Sequence, residues 1–184
     1  MKSHIILNRR QFIQGTGLVL VGSCFMPKIL HAEDPLPEKR LNLYNIHTGE
    51  SFNDVFWSEE KLIPEAVTQL NKIMRDWRTD SVKDINPLLY LLVHRLSEKL
   101  DTKKPIEIIS GYRCPQTNQS LRKKSKGVAK QSRHLTGNAI DFSLKDRSMK
   151  EARRVAMSFK AGGVGYYPSK GFIHMDIRDK PTYW

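Results

Sequence analysis

The stretch Ser132-Arg133-His134-Leu135-Thr136-Gly137-Asn138-Ala139-Ile140-Asp141-Phe142-Ser143-Leu144 alternates in side-chain character from Asn138 onward, the period of a strand with one buried face. Ile140, Phe142 and Leu144 point to one side and fill a core, so Ala139, Asp141 and Ser143 point to the other. Gly137 lets the preceding loop fold back, which keeps His134 near the strand. The final strand, Gly171 to Ile177, repeats the device: Ile173, Met175 and Ile177 face inward while His174 and Asp176 share the opposite face. Two strands thus offer polar ligands on a face that their apolar partners do not need.

Working outward, Leu41 to Ile46 alternates, His47-Thr48-Gly49-Glu50 supplies turn chemistry, and Phe52 to Trp57 is a second extended run, which together predict a hairpin. From Pro64, the residues Val67, Leu70, Ile73, Met74 and Trp77 recur at helical spacing; their Met and Trp read as packing rather than as a cofactor box. A second helix starts at Pro87 and runs to Leu100. Ile106 to Ile109 predicts a short strand, and a helix begins near Pro115. Lys123, Lys124, Lys126 and Lys130 form a basic loop with Gly127. A helix with Ser148 at its N-cap extends to about Lys160, and Gly162, Gly163 and Gly165 mark a bend into a Tyr166-Tyr167 strand. Helices cluster early and strands late, so the expected fold class is α+β with a small, mostly antiparallel sheet.

The 184 residues are 39% hydrophobic and 27% charged, the composition of an ordinary globular chain of one domain. Residues 1–32 read as an export signal, residues 33–40 as a tether and residues 41–184 as the folded domain. The signal has a basic start, an apolar run Ile13 to Met26 and a cleavage-like Leu30-His31-Ala32; the run is too short and too glycine-rich for a membrane span. Asn8-Arg9-Arg10-Gln11-Phe12-Ile13-Gln14 resembles the twin-arginine export signal, which predicts a periplasmic location. Val21-Gly22-Ser23-Cys24 also resembles a loose lipoprotein box, so lipid anchoring at Cys24 is the alternative. The formal net charge is +12, and removal of four basic and no acidic residues with the signal leaves +8. Such a charge suits an acidic polymer, an anionic surface or nucleic acid. Cys114 is then the single cysteine, so no intrachain disulfide is available.

His134, Asp141 and His174, converging from a loop and two strands, would make the protein share of a catalytic zinc site, with a fourth position left for water; taken singly, each histidine reads more plainly as a hydrogen-bonded residue and Asp141 as the partner of a basic neighbour. Zinc held this way lowers the pKa of water to about 7 and polarises a carbonyl, chemistry suited to amide hydrolysis.

Ser110-Gly111-Tyr112-Arg113, Ser132 to Asp141, Gly162-Gly163-Val164-Gly165-Tyr166-Tyr167 and Phe172-Ile173-His174-Met175-Asp176 together resemble the zinc-dependent D-Ala-D-Ala peptidase and hedgehog-type superfamily, and within it the exported murein endopeptidases. The resemblance runs from the Asn45–Glu50 turn to Trp184 and includes the twin-arginine leader. It implies that His134, Asp141 and His174 bind Zn2+. It also implies that Arg113 contacts substrate or steadies the oxyanion, where the plain alternative is a structural ion pair. Ser132 either orients His134 or bonds its own loop. Many relatives carry an acidic residue or histidine shortly before the last ligand, but the position three before His174 is Gly171, so the general base must come from elsewhere. Asp176 is the candidate, yet two residues along a strand lie about 6–7 Å apart, so it serves equally as an orienting partner of His174. His47 is a further candidate.

The implied activity is hydrolysis of peptidoglycan cross-links, between meso-diaminopimelate residues (3-3 links). A D,D-carboxypeptidase, a 4-3 endopeptidase and a non-catalytic zinc-containing wall-binding domain are the alternatives. Nucleic-acid binding accounts for the charge but for neither the leader nor the ligand set, so no nucleic-acid partner is expected.

Overall fold

The computed structural model describes residues 37–125 and 127–184. The export segment read at residues 1–32, with Cys24 in it, lies outside the described residues. The chain enters β1 (Lys39–Asn45), two residues before the predicted start, and returns as β2 (Ser51–Ser58) with Leu41, Leu43, Phe52 and Phe56 buried. The buried Asn45 closes the turn: its Oδ1 accepts from the N–H of His47 and of Thr48, and its Nδ2 donates to the Ile73 carbonyl. After β3 (Lys61–Leu62) come α1 (Pro64–Ile73) and α2 (Pro87–Leu100), both with proline in the first turn, where its missing N–H costs nothing. β4 (Ile106–Ser110), α3 (Pro115–Lys124), a 3-10 turn over Arg133–Thr136 and β5 (Ala139–Ser143) follow. Then come α4 (Met149–Ser158), β6 (Gly163–Tyr167), β7 (Phe172–Asp176) and β8 (Thr182–Tyr183).

The strands form one sheet in the order β3-β2-β1-β4-β5-β7-β6-β8. All neighbours are antiparallel except the parallel pairs β1/β4 and β6/β8, so the chain is α+β with the mostly antiparallel sheet its sequence predicts. α1 lies against β2, α2 against β1 and α4, and α4 against β6 and β7. Leu70, Leu89, Leu96, Ile108, Ile140, Phe142 and Ile173 make the core of these contacts. None of the helices among the described residues is long and apolar enough to cross a membrane.

Four local expectations are corrected, and a fifth, the Ser148 N-cap, holds. The helix from Pro64 ends at Ile73, so Trp77 lies beyond it: the Met74 carbonyl turns away to accept from Tyr112 N–H at 2.7 Å, and Asp76 bridges to Ser81. Lys123 and Lys124 belong to the last turn of α3, where cations favour the helix dipole, rather than to a loop. Ser148 stands at the N-cap of α4 without a side-chain capping bond. Gly163 and Gly165 are inside β6 rather than in a bend before it. β7 is followed by β8, a two-residue strand too short to show a period.

The junction between α1 and α2 rests on one amide. Buried Asn71 accepts from Ile85 N–H at 3.0 Å and from the Tyr90 hydroxyl at 2.8 Å, and its Nδ2 donates to Asp84 Oδ1 at 3.1 Å. Asn71→Ala leaves two buried donors unpaired and is expected to cost about 2–4 kcal/mol, whereas Tyr90→Phe removes one bond for about 1 kcal/mol. Urea unfolding of the two variants checks the order.

Candidate metal centre

His174 sits in the middle of three strands, with Asp141 directly opposite it on β5 and Gly165 opposite it on β6. Asp141 and His174 are therefore cross-strand neighbours on the face away from the core, as the alternation predicts. His134 joins them from the 3-10 turn before β5. That turn closes on Gly137 in the left-handed conformation (φ +68°), where a Cβ would also fall 2.6 Å from the Asp84 carbonyl oxygen. A larger residue there would push the turn, and His134 with it, away from the strand.

The three donor atoms meet closely. His134 Nε2 lies 3.2 Å from Asp141 Oδ1 and 3.2 Å from His174 Nδ1, and His174 Nδ1 lies 2.8 Å from Asp141 Oδ1. Tetrahedral donors bound to zinc at about 2.0–2.1 Å stand about 3.3 Å from one another, so the set fits such an ion. Each ring is also turned to aim that nitrogen inward. His134 Nδ1 lies 2.6 Å from the Gly111 carbonyl, which can only accept, so the ring donates there and leaves its Nε2 lone pair for the cluster. His174 Nε2 lies 2.9 Å from Asp176 Oδ2, which leaves Nδ1 inward. All three residues are buried.

Charge follows from this packing. Burial pushes the Asp141 carboxyl up, but the two imidazoles overcome it and hold the group well below the usual carboxylate range. Burial lowers the His134 imidazole and Asp141 only partly offsets this, so His134 is neutral at pH 7. Burial also works against the His174 cation, yet hydrogen bonds and charge from Asp141 and Asp176 raise its pKa to about 9. Without a metal, an imidazolium between two carboxylates stands where a cation belongs.

The remaining predicted residues are brought to the same centre. Arg113 pairs with Asp141 Oδ2, the oxygen not facing the imidazoles, and its Nε donates to Ser110 Oγ at 2.8 Å. Ser110 reaches that side through a register shift between Ile108 and Ser110, which places it opposite Asp141 instead of in phase with the core residues Ile106 and Ile108. Asp176 is fully buried and its four acceptor positions are taken: Oδ1 by Gly163 N–H and Arg178 Nε, Oδ2 by His174 and the Arg178 guanidinium. Burial would raise its carboxyl, but Arg178 and the other donors hold it far below the usual range. Ser132 caps its own turn, accepting from His134 N–H at 3.3 Å. His47 lines the same cleft with its ring stacked on Trp77 at 4.1 Å and Nε2 3.1 Å from the Ile109 carbonyl.

Two features escaped sequence reasoning. The cleft over the cluster, about 900 Å³, is walled on one side by Trp184, whose ring lies 5.5 Å from that of His174 and whose Nε1 donates to Tyr167 hydroxyl at 2.8 Å. The indole rests on bare Gly165, where a Cβ would fall 2.5 Å from it. Arg178 anchors Asp176, and the only sequence signal for it was a basic residue two after a carboxylate that shares a strand face with His174.

Residues 34–182 match the profile of the Peptidase_M15_2 family, described as peptidoglycan L,D-endopeptidase MepK. Peptidoglycan L,D-endopeptidase MepK of Escherichia coli (strain K12) is 41% identical over 170 residues, covering 92% of this chain and 93% of that protein. The protein of the same name from Shigella flexneri gives the same figures. Probable peptidoglycan L,D-endopeptidase MepK of Haemophilus influenzae is 35% identical over 176 residues, 95% of this chain and 94% of that protein.

A metal needs the unprotonated Nδ1 of His174, so zinc titrated into metal-free protein near pH 7 is expected to release about one proton per ion, measured by calorimetry in buffers of different ionisation enthalpy. In the metal-free protein the His174 pKa of about 9 stands above its ordinary 6.5. The stability this confers is full below about pH 6.5 and is lost as pH rises through about 9, so the thermal midpoint should fall across that window. A flat profile there would remove the imidazolium.

Proposed function

Because this chain belongs to the Peptidase_M15_2 family, among the zinc peptidases of the M15 superfamily, we propose that it is an exported zinc-dependent murein endopeptidase cutting meso-diaminopimelate to meso-diaminopimelate (3-3) cross-links. The observation that supports zinc is the convergence of His134 Nε2, Asp141 Oδ1 and His174 Nδ1, each ring held from behind by a separate acceptor. The leader at residues 1–32 and the basic mature chain support an extracytoplasmic, carboxylate-rich polymer as substrate.

When bound, zinc lowers the pKa of water and polarises the scissile carbonyl. The chain's own residues do the rest. Arg113, fixed by Ser110 and Asp141 at the floor of the cleft, places a guanidinium beside the charge that develops on the carbonyl oxygen. Asp176 orients His174 and has no lone pair left to take a proton. Trp184 walls the cleft beside His174. His47 is the imidazole that lines the cleft outside the donor set and is the remaining candidate for proton transfer.

Incubation with defined muropeptides and mass analysis tests the assignment: 3-3 dimers should be split, chelator should stop the reaction and zinc should restore it. Products from 4-3 dimers alone, or a D-alanine released from monomers, would move the chain to the D,D-specific enzymes, and sacculus binding without products would make it a wall-binding domain. His134→Ala is expected to abolish both metal binding and cleavage. Asp176→Asn separates orientation from base catalysis. An orienting role predicts metal affinity weakened about 10–100-fold with most activity regained at saturating zinc. Activity lost at full metal occupancy would make Asp176 the base.

A further inference from the structure

Two arginines lining the cleft are spent on carboxylates, Arg113 on Asp141 and Arg178 on Asp176, and Arg75, outside it, is spent on Glu50 and Asp80. Arg78 is different. It lines the metal cleft, yet among the described residues no carboxylate lies within ion-pair distance of its guanidinium and nothing accepts a hydrogen bond from it. The guanidinium is nevertheless held, lying over the Trp77 ring at 4.1 Å from its centroid, while His47 stacks on the same indole. Stacking of this kind fixes the plane of the group and leaves its edge of N–H donors open.

The backbone beneath is tied to the catalytic segment by one buried carboxylate. Asp76 Oδ1 accepts from Arg78 N–H at 3.1 Å and Asp76 Oδ2 accepts from Cys114 N–H at 2.9 Å. The Met74 carbonyl takes Tyr112 N–H as well. Arg78 is thereby set at a fixed distance from Arg113, one residue before Cys114. Desolvation lowers the Arg78 pKa, with the pull of Asp76 and the positive charge of Arg113 acting against each other on it. Among the described residues the only carboxylates lining the cleft, Asp141 and Asp176, are consumed in the cluster, whereas Lys130, Arg133 and Lys170 add to its rim.

We propose that Arg78 forms a carboxylate-binding subsite of this cleft, gripping through its guanidinium edge a free carboxylate that the substrate peptide carries beside the scissile amide. The subsite rests on the hydrolytic reading for its substrate but not for its chemistry, because a planar guanidinium without a partner recognises a carboxylate in any bound peptide. Arg78 then sets which peptides are held, while Arg113 acts at the reacting carbonyl.

The test compares cross-linked peptides whose carboxylate next to the cut is free or converted to the carboxamide. On the free acid, Arg78→Gln is expected to raise KM about tenfold or more with kcat within about twofold. Wild-type protein should suffer the same rise on the carboxamide, and Arg78→Gln should add nothing to it. Arg78→Lys should recover only part, since an ammonium lacks the planar fork. Calorimetry of the product peptide in acid and amide forms, on wild-type and Arg78→Gln protein, repeats the comparison without turnover. An Arg78-dependent preference for the acid in a protein that cuts neither peptide upholds the subsite and rejects the hydrolytic reading. Equal losses on acid and amide, or no loss on either, overturn the subsite.

Discussion

Asp141 and His174 face each other across two antiparallel strands, and the register of that single pair decides whether a metal site exists. Side chains alternate along a strand, so a slip of one residue would bury both ligands in the apolar core and turn Ile140 or Ile173 toward solvent. The core itself prevents this. Ile140, Phe142, Ile173 and Met175 are almost wholly buried, and the free energy of keeping four such side chains from water, about 1.5–3 kcal/mol each, holds the ligands on the other face.

Burying two imidazoles and a carboxylate together is costly unless their charges are balanced. The fold arranges that balance in two layers. Asp141 receives the two rings on one oxygen and Arg113 on the other, and His174 is flanked by Asp141 and by Asp176, itself neutralised by Arg178. The two carboxylates raise the His174 pKa to about 9, so its imidazole supplies positive charge between them. The aromatic wall of Trp184 and the cationic rim that includes Arg78 lie around this neutralised centre rather than inside it. The cleft thus keeps a positive potential toward substrate, because the carboxylates on its floor are already paired.

Polar side chains in the early half of the chain act at a distance from the cluster. Asn45 ties the β1–β2 turn to the end of α1, Asn71 joins α1 to α2, and Asp76 fastens the segment after α1 to the segment that carries Arg113. Each satisfies buried backbone donors or acceptors that would otherwise be orphaned. The hairpin and helices that look like mere scaffold therefore set where Arg78, His47 and Arg113 stand around the metal ligands.

The hairpin, the proline-led starts of both helices and the inward and outward faces of β5 and β7 were legible in the amino-acid order, because periodicity and turn chemistry are properties of residues adjacent along the chain, whereas His134, Asp141 and His174 stood out as a set only through the family resemblance. Between the two roles open to Asp176, sequence could not choose; four hydrogen bonds from three residues, Gly163, His174 and Arg178, favour orientation. The turning of the His134 ring by the Gly111 carbonyl, the shift that brings Ser110 beside Asp141, the indole of Trp184 over Gly165 and the unpaired guanidinium of Arg78 in the cleft were equally hidden. Each depends on which distant strand or loop lies alongside. Local order along the chain determines which side chains face outward, but only the closing of long-range contacts, where many weak packing terms must be satisfied at once, decides what those side chains meet.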